Sequence, residues 1–242
     1  MDAIELSVVA PVYNEAEGIE RVLRHWLDVL ASTGLRAEIV LANDGSTDAT
    51  GAILERMSAE FSALRVLSYS PNHGYGFALH EAIQASRGEV VVTIDSDGQF
   101  DLADFAGMFA IYRSRSLDFV TGYRVKKQDS RVRVFADRGL NLLVRALFPI
   151  QLRDTNCALK LIRGDLARSL RIEARGYPTP TEITLKLVAM GAKTAEAPVT
   201  HAERIAGRSK LHILPTAVDM VRFLLYLRRK TRLHRAGVLQ GL

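Results

Sequence analysis

Cysteine is nearly absent: one residue, Cys157, in a chain of 242. That excludes a disulfide framework and any multi-cysteine zinc site. Long apolar runs are missing as well. A membrane-crossing helix needs roughly 18–20 uncharged apolar residues, and the apolar stretch Phe223 to Leu227 is closed off by Arg222 and Arg228. Neither G-x-G-x-x-G nor G-x-x-x-x-G-K-[ST] follows an apolar run, which argues against a dinucleotide dehydrogenase and a P-loop nucleotidase. The nucleophile elbow of a Ser/His/Asp hydrolase is absent too. The first residues carry acid where an export signal needs base, so secretion by that route is not expected. The chain is expected in the cytosol or lying on a membrane, not spanning one.

What is present is material for a core. Hydrophobic residues make up 48% of the chain and charged residues 24%, enough for one large α/β domain or two small ones, with a core that needs no staples. The net charge of +5 is unevenly spread. From Arg204 onward nine Lys/Arg face a single acid, Asp219, whereas the rest of the chain sets 23 bases against 26 acids. A mildly acidic body with a basic tail suits an anionic partner such as a phosphate or a membrane surface. Nucleic acid fits poorly, because the bases cluster without interleaved aromatics or a helix-turn-helix pattern.

The first 122 residues alternate between strand and helix patterns. Leu6 to Val12 is an apolar run suited to a strand buried on both faces. Ile19, Val22, Leu23, Trp26, Leu27 and Leu30 follow at helical spacing, with Asn14 and Glu17 spaced as a capping box. Further strands are expected at 38–43, 65–70, 89–94 and 118–122. Between them come a helix over Ile53, Leu54 and Met57, capped by Ser46 or Thr47, and another running from the 72–76 turn through Ser86. Beyond residue 122 the pattern loosens, with helices expected over 135–148 and 182–190 and strands at 158–162 and 195–199. An amphipathic helix from about Ile213 to Arg232, basic at its end, closes the chain. This alternation predicts an α/β fold, a doubly wound and mostly parallel sheet flanked by helices.

Each of the first four strands runs into a polar loop: Tyr13-Asn14-Glu15, Asp44 to Asp48, Asn72-His73-Gly74, and Asp95-Ser96-Asp97-Gly98-Gln99. In an open α/β sheet the carboxyl ends of the strands line the ligand crevice. A turn can bring the carboxylates of Asp95 and Asp97 to one cation. With the amide oxygen of Gln99 they are hard ligands suited to Mg²⁺ or Mn²⁺, with waters and substrate phosphates completing the shell. Asp44 can accept paired donors from a nucleobase or ribose, or simply close a capping turn. His73 and His201 have no ligand partner at metal spacing. Cys157 reads as a small buried apolar residue rather than a nucleophile.

These segments carry a resemblance. Val8 to Glu15, Ala42 to Asp48 and Asp95 to Gln99 are similar to the successive nucleotide-sugar motifs of family 2 glycosyltransferases, and most of all to dolichyl- and polyprenyl-phosphate mannosyl- or glucosyltransferases. Asn72-His73-Gly74 and Gly122-Tyr123-Arg124 resemble two further turns of that family. Asp154 to Lys160 resembles its acceptor-side segment, and Arg204 to Lys210 its R-x-x-G-x-S-K stretch. The likeness runs in consistent order from residue 5 to residue 211. Two positions depart from it: Gly98 replaces a larger apolar residue, and Ala158 stands where glycine is usual.

The resemblance implies a GT-A fold and inverting hexose transfer from a nucleoside-diphosphate sugar, of the GDP-mannose or UDP-glucose type, to a polyprenyl phosphate. One catalytic domain over 1–210 is implied, with a nucleotide-sugar half (1–122) and an acceptor half (123–210), followed by the basic tail, 211–242. Pro11, Tyr13, Glu15, Asp44 and Asp95 would hold the donor. Asp95, Asp97 and Gln99 would hold the metal. Arg124, Arg138, Arg204 and Lys210 would face the acceptor phosphate, with Arg133 competing for the role of Arg138. A phosphate acceptor needs no strong general base, whereas a hydroxyl acceptor would need a carboxylate such as Glu182 or Asp154. A non-catalytic sugar-nucleotide binder would have no need of Asp97 and Gln99. The tail is expected to meet an anionic membrane surface or a membrane-protein partner from the cytoplasmic side, with Ile213, Ala217, Val221, Leu224 and Leu225 on one face.

Overall fold

The apolar run that opens the sequence forms strand β1 (Leu6–Val12) over the predicted residues. The computed structural model describes residues 3–125, 131–202, 213–237 and 242, without the side chains of 131–138 and 213–217. After β1 come α1 (Ile19–Thr33), β2 (Ala37–Asp44), α2 (Thr50–Glu60), β3 (Leu64–Tyr69), α3 (Tyr75–Ala85) and β4 (Val90–Thr93). A short 3-10 turn, Leu102–Asp104, leads into α4 (Phe105–Ser114) and β5 (Phe119–Arg124). The second half holds α5 (Arg131–Leu147), β6 (Lys160–Arg163), α6 (Gly164–Ser169), α7 (Thr179–Ala189), β7 (Thr194–Val199) and α8 (Ile213–Arg235).

The seven strands form one sheet in the order β3-β2-β1-β4-β6-β5-β7. All pairs among β1 to β4 are parallel, as is β5 with β7, but β6 runs antiparallel to both β4 and β5. Alternation along β1 divides the two faces. Leu6, Val8, Ala10 and Val12 pack with Trp26 of α1, Met57 of α2 and Phe105 of α4, while Val9 joins Leu79 and Ile83 of α3 and Ile183 of α7 on the other side. This is the period-2 signature of a strand covered on both faces. A third cluster joins α5, α7 and α8 through Val144, Leu185, Met220, Leu224 and Leu227.

Three local expectations are corrected. Asn14 does not cap α1: it sits at φ +54° and reaches the next loop instead, accepting from the Thr47 amide at 2.7 Å. Ser46 and Thr47 are occupied by that loop pairing, and Asp48 takes the Thr50 amide at the start of α2. The last helix is not apolar on one face only. Leu224 is sealed in the core while Val221 and Leu225 point outward. Among the described residues no helix is long and apolar enough to cross a membrane.

Candidate active site

Because β1 to β4 are parallel and adjacent, their four polar loops meet along one edge. β5 and β7 end at that edge too, and antiparallel β6 begins there, bringing up the 154–159 segment. The loops touch closely. Gly45 lies at φ +71°, and a Cβ there would come within 2.7 Å of the Asn72 amide nitrogen, so only glycine fits.

Asp44 is buried at the end of β2, and its carboxylate accepts the backbone amides of His73 (2.9 Å) and Gly74 (2.7 Å) at the entry to α3. Asn72 donates to the Asp44 carbonyl at 2.8 Å. Asp44 therefore fastens the β2 and β3 loops together, while its loop lies beside Tyr13 and Glu15. Glu15 is fixed through its own amide, which donates to Thr50 Oγ1 at 2.9 Å. Pro11 stays inside β1, where its carbonyl accepts from Ser96 Oγ at 2.8 Å and ties the β1 and β4 ends.

The Asp95–Gln99 loop is organised from within. Asp97 accepts the Gln99 amide at 3.0 Å, and Gly98 sits at φ +75°. That conformation accounts for glycine where the resemblance leads one to expect a larger residue. Asp95 accepts from the Tyr75 hydroxyl at 2.7 Å. Burial together with the Asp95 charge pushes the Tyr75 phenol well above its ordinary range, which keeps it a donor. The Gln99 side-chain nitrogen donates to the Ala202 carbonyl at 3.3 Å, so its oxygen is the atom a cation would take. His201 pairs with Phe100 in an isolated bridge beside this loop, a neighbour that the spacing of histidines in the sequence gave no means to see. Among the described residues no three His, Cys, Asp or Glu side chains converge as a protein-only metal cage.

On the other side of the edge, Arg124 at the end of β5 grips Asp154 with two parallel bonds, Nε to Oδ2 at 2.7 Å and a terminal nitrogen to Oδ1 at 3.0 Å. This fork-to-carboxylate geometry is the strong, directional form of the pair. Behind it Lys160 is completely buried, donating to Thr184 Oγ1 (2.8 Å) and Thr121 Oγ1 (3.1 Å). Burial brings its ammonium down to about 8. Burial also raises the Cys157 thiol to about 12, as suits an inert packing residue.

Glu182 is placed differently from a general base. It is fully buried on α7, where its carboxylate accepts the amides of Glu173 (2.9 Å) and Ala174 (2.8 Å) and pairs with Lys186 at 2.7 Å. A carboxylate so engaged cannot take an acceptor proton without giving up those bonds. Its work is to hold the 173–175 segment, whose carbonyls press on α3: a Cβ on Gly76 would overlap the Ala174 oxygen. Glu173 in turn accepts from Lys186 (2.7 Å), Lys230 (2.6 Å) and Tyr226 (2.8 Å). Burial alone would raise its pKa, yet these donors bring it down to about 2. The side chains of Arg133 and Arg138, and all of Arg204, Arg208 and Lys210, lie outside the described residues.

Residues 7–167 match the model of the family described as glycosyl transferase family 2. The chain is 27% identical over 237 residues to the dodecaprenyl-phosphate galacturonate synthase of Rhizobium johnstonii, across 96% of this chain and 70% of that protein. It is 30% identical over 214 residues to the undecaprenyl-phosphate 4-deoxy-4-formamido-L-arabinose transferase of Pectobacterium atrosepticum, across 88% of this chain and 64%, just under two thirds, of the relative. Among solved structures, glucosyl-3-phosphoglycerate synthase from Mycobacterium tuberculosis, crystallised with Mn²⁺, UDP-glucose and phosphoglyceric acid, superposes with a TM-score of 0.65. That similarity carries 21% identity and covers 98% of this chain and 81% of that one. The shared fold is GT-A.

Proposed function

Because the chain belongs to glycosyl transferase family 2, we propose that it transfers a hexose, with inversion, from a nucleoside-diphosphate sugar to a polyprenyl (dolichyl-type) phosphate at the cytoplasmic face of a membrane. One observation carries the reading. The Asp95–Gln99 loop and Asp44 stand on the same sheet edge as the Arg124–Asp154 pair, which supports a donor side and an acceptor side along one edge. The relatives named for polyprenyl-phosphate transfer support the acceptor class.

Asp95, Asp97 and Gln99 fit a divalent ion of the Mg²⁺ or Mn²⁺ kind, since two carboxylates and an amide oxygen leave positions for substrate phosphate and water. Such an ion, when bound, neutralises charge on the departing diphosphate. The chain's own residues do the rest. Tyr13, Glu15 and Asp44 hold the base and ribose. The fork with Asp154 would hold the Arg124 guanidinium toward the acceptor phosphate, whose attack must come in line behind the anomeric carbon. A phosphate oxygen attacks that carbon, the bond to the diphosphate oxygen breaks, and a nucleoside diphosphate leaves. The acceptor is already ionised, so no proton has to be removed. A soluble hydroxyl acceptor is the weaker reading, because both candidate bases, Glu182 and Asp154, are tied up in other bonds.

Nucleoside-diphosphate release from a panel of GDP- and UDP-sugars tests this, with Mg²⁺ or Mn²⁺, with and without a short-chain polyprenyl phosphate. Release that requires both the lipid phosphate and Asp97 is expected. Donor binding with no lipid stimulation would redirect the search to a soluble acceptor, and no donor binding would end the proposal.

A further inference from the structure

The inner and outer faces of α8 are both apolar, and only the inner one is accounted for. Met220, Leu224 and Leu227 enter the core with α5 and α7, and Tyr226 and Lys230 pin the helix to Glu173. On the opposite side Val218 is 51% exposed, Val221 42%, Leu225 52% and Leu233 37%. Single exposed apolar residues are ordinary on protein surfaces. These recur at helical spacing on one side of one helix, which is a different matter.

Interspersed with them are Arg222, Arg229 and Arg232, with Arg228 at the margin. Leu225, Arg228, Arg229, Arg232 and Leu233 together line a shallow groove. Among the described residues none of these four arginines has a carboxylate partner. The only acid of α8, Asp219, lies at the flank of the stripe. The result is a sector of four aliphatic side chains and four unneutralised guanidinia with no acid at its centre.

We infer that this outer stripe of α8 is a docking face for an anionic lipid bilayer, with α8 lying parallel to the surface. The charge pattern selects that occupant. A purely apolar partner would leave the arginines desolvated without counter-charge, and a nucleic acid would leave the valines and leucines without a partner. A headgroup layer above acyl chains answers both, because an arginine stem can lie along apolar surface while its head stays among phosphates. The pinned inner face sets the depth: α8 cannot leave the body to insert further without breaking the Glu173 bonds. The physiological use of this face rests on the lipid-phosphate acceptor proposed above, but its docking does not require that acceptor.

The test is co-sedimentation of the full chain with vesicles of phosphatidylcholine alone, or mixed in equal parts with phosphatidylglycerol, neither containing polyprenyl phosphate. Binding to the mixed vesicles only is expected, weakened by salt. Each near-surface base multiplies binding about fivefold, so reversing Arg228, Arg229 and Arg232 to Glu lowers it by at least about 100-fold. Leu225→Asp also weakens it, while nucleotide release on a short-chain acceptor without vesicles is unchanged in every variant. Failure of wild type to bind, or equal binding by the variants, overturns the inference. So does a dimer in solution that Leu225→Asp dissociates, which would make the stripe a contact between copies. Loss of release on the short-chain acceptor in wild type would count against the proposed reaction and leave the docking result standing.

Discussion

The two ends of the sheet place their carboxylates in different settings. At the amino edge, Glu38 of β2 receives the Ser7 hydroxyl (2.8 Å), the Arg87 amide (2.7 Å) and the guanidinia of Arg87 and Arg65 (2.6 and 3.1 Å). Burial would raise its pKa, yet these donors, Arg87 foremost, hold it below the usual range. At the carboxyl edge, Asp95 accepts from the Tyr75 hydroxyl and Asp97 from the Gln99 amide of its own loop. A carboxylate surrounded by arginines is finished when the chain folds. The loop acids stand instead among the polar strand ends, where the proposed ligands would arrive. The difference separates an acid spent on the fold from the loop acids proposed to meet a ligand.

Removing charge at each edge sharpens that contrast. Asp97→Ala is expected to lower turnover by about 10³-fold, the scale of losing stabilisation at a leaving group, with the melting temperature nearly unchanged. Glu38→Ala should do the reverse: about 3 kcal/mol of stability is lost in chemical denaturation, while donor affinity per folded molecule is retained. Glu182→Gln probes the boundary between the two behaviours. A general base would cost about 10²–10⁴ in kcat. An acid that holds backbone amides costs about 2 kcal/mol of stability and less than about tenfold in kcat, and this second outcome is expected.

The smallest effect concerns Lys160. Its folded value of about 8 lies below the ordinary 10.5, so between these pH values the unfolded chain binds more protons than the folded one. Stability contributed by this residue therefore rises as pH climbs from about 8 to 10.5. Lys160→Met should flatten that rise in denaturant titrations across the same range.

Much of this architecture was legible in the residues. β1 and its neighbours announce themselves because a strand covered on both faces is a short, uninterrupted apolar run, and the polar loops that follow fall on one edge as soon as the strands are parallel. Direction was not legible. Ala158 to Ile162 reads as a strand, but nothing in its pattern says that β6 must run against β4 and β5. Helix α4 was overlooked although Phe105, Met108, Phe109 and Tyr112 recur at helical spacing. Roles were harder than places. Glu182 in a Pro-Thr-Glu segment looks the same whether it awaits a proton or holds two amides, and only the approach of the 173–175 segment separates them. On α8, Val221, Leu224 and Leu225 read as one face, and periodicity alone does not separate Leu224, sealed in the core, from its exposed neighbours.

The grip on Asp44 bears on engineering. Its carboxylate accepts the peptide amides of residues 73 and 74, and the His73 ring nitrogen stands 3.5 Å from it. Gly74, at φ +103° against the Arg175 carbonyl, admits no alternative. His73 is exposed, its ring 4.5 Å from that of Phe77, and its amide contribution survives any side chain compatible with the turn. Position 73 is thus a natural site for a saturation library that probes the donor role proposed for Asp44, one in which diversity is gained beside the acid while the acid itself stays in register.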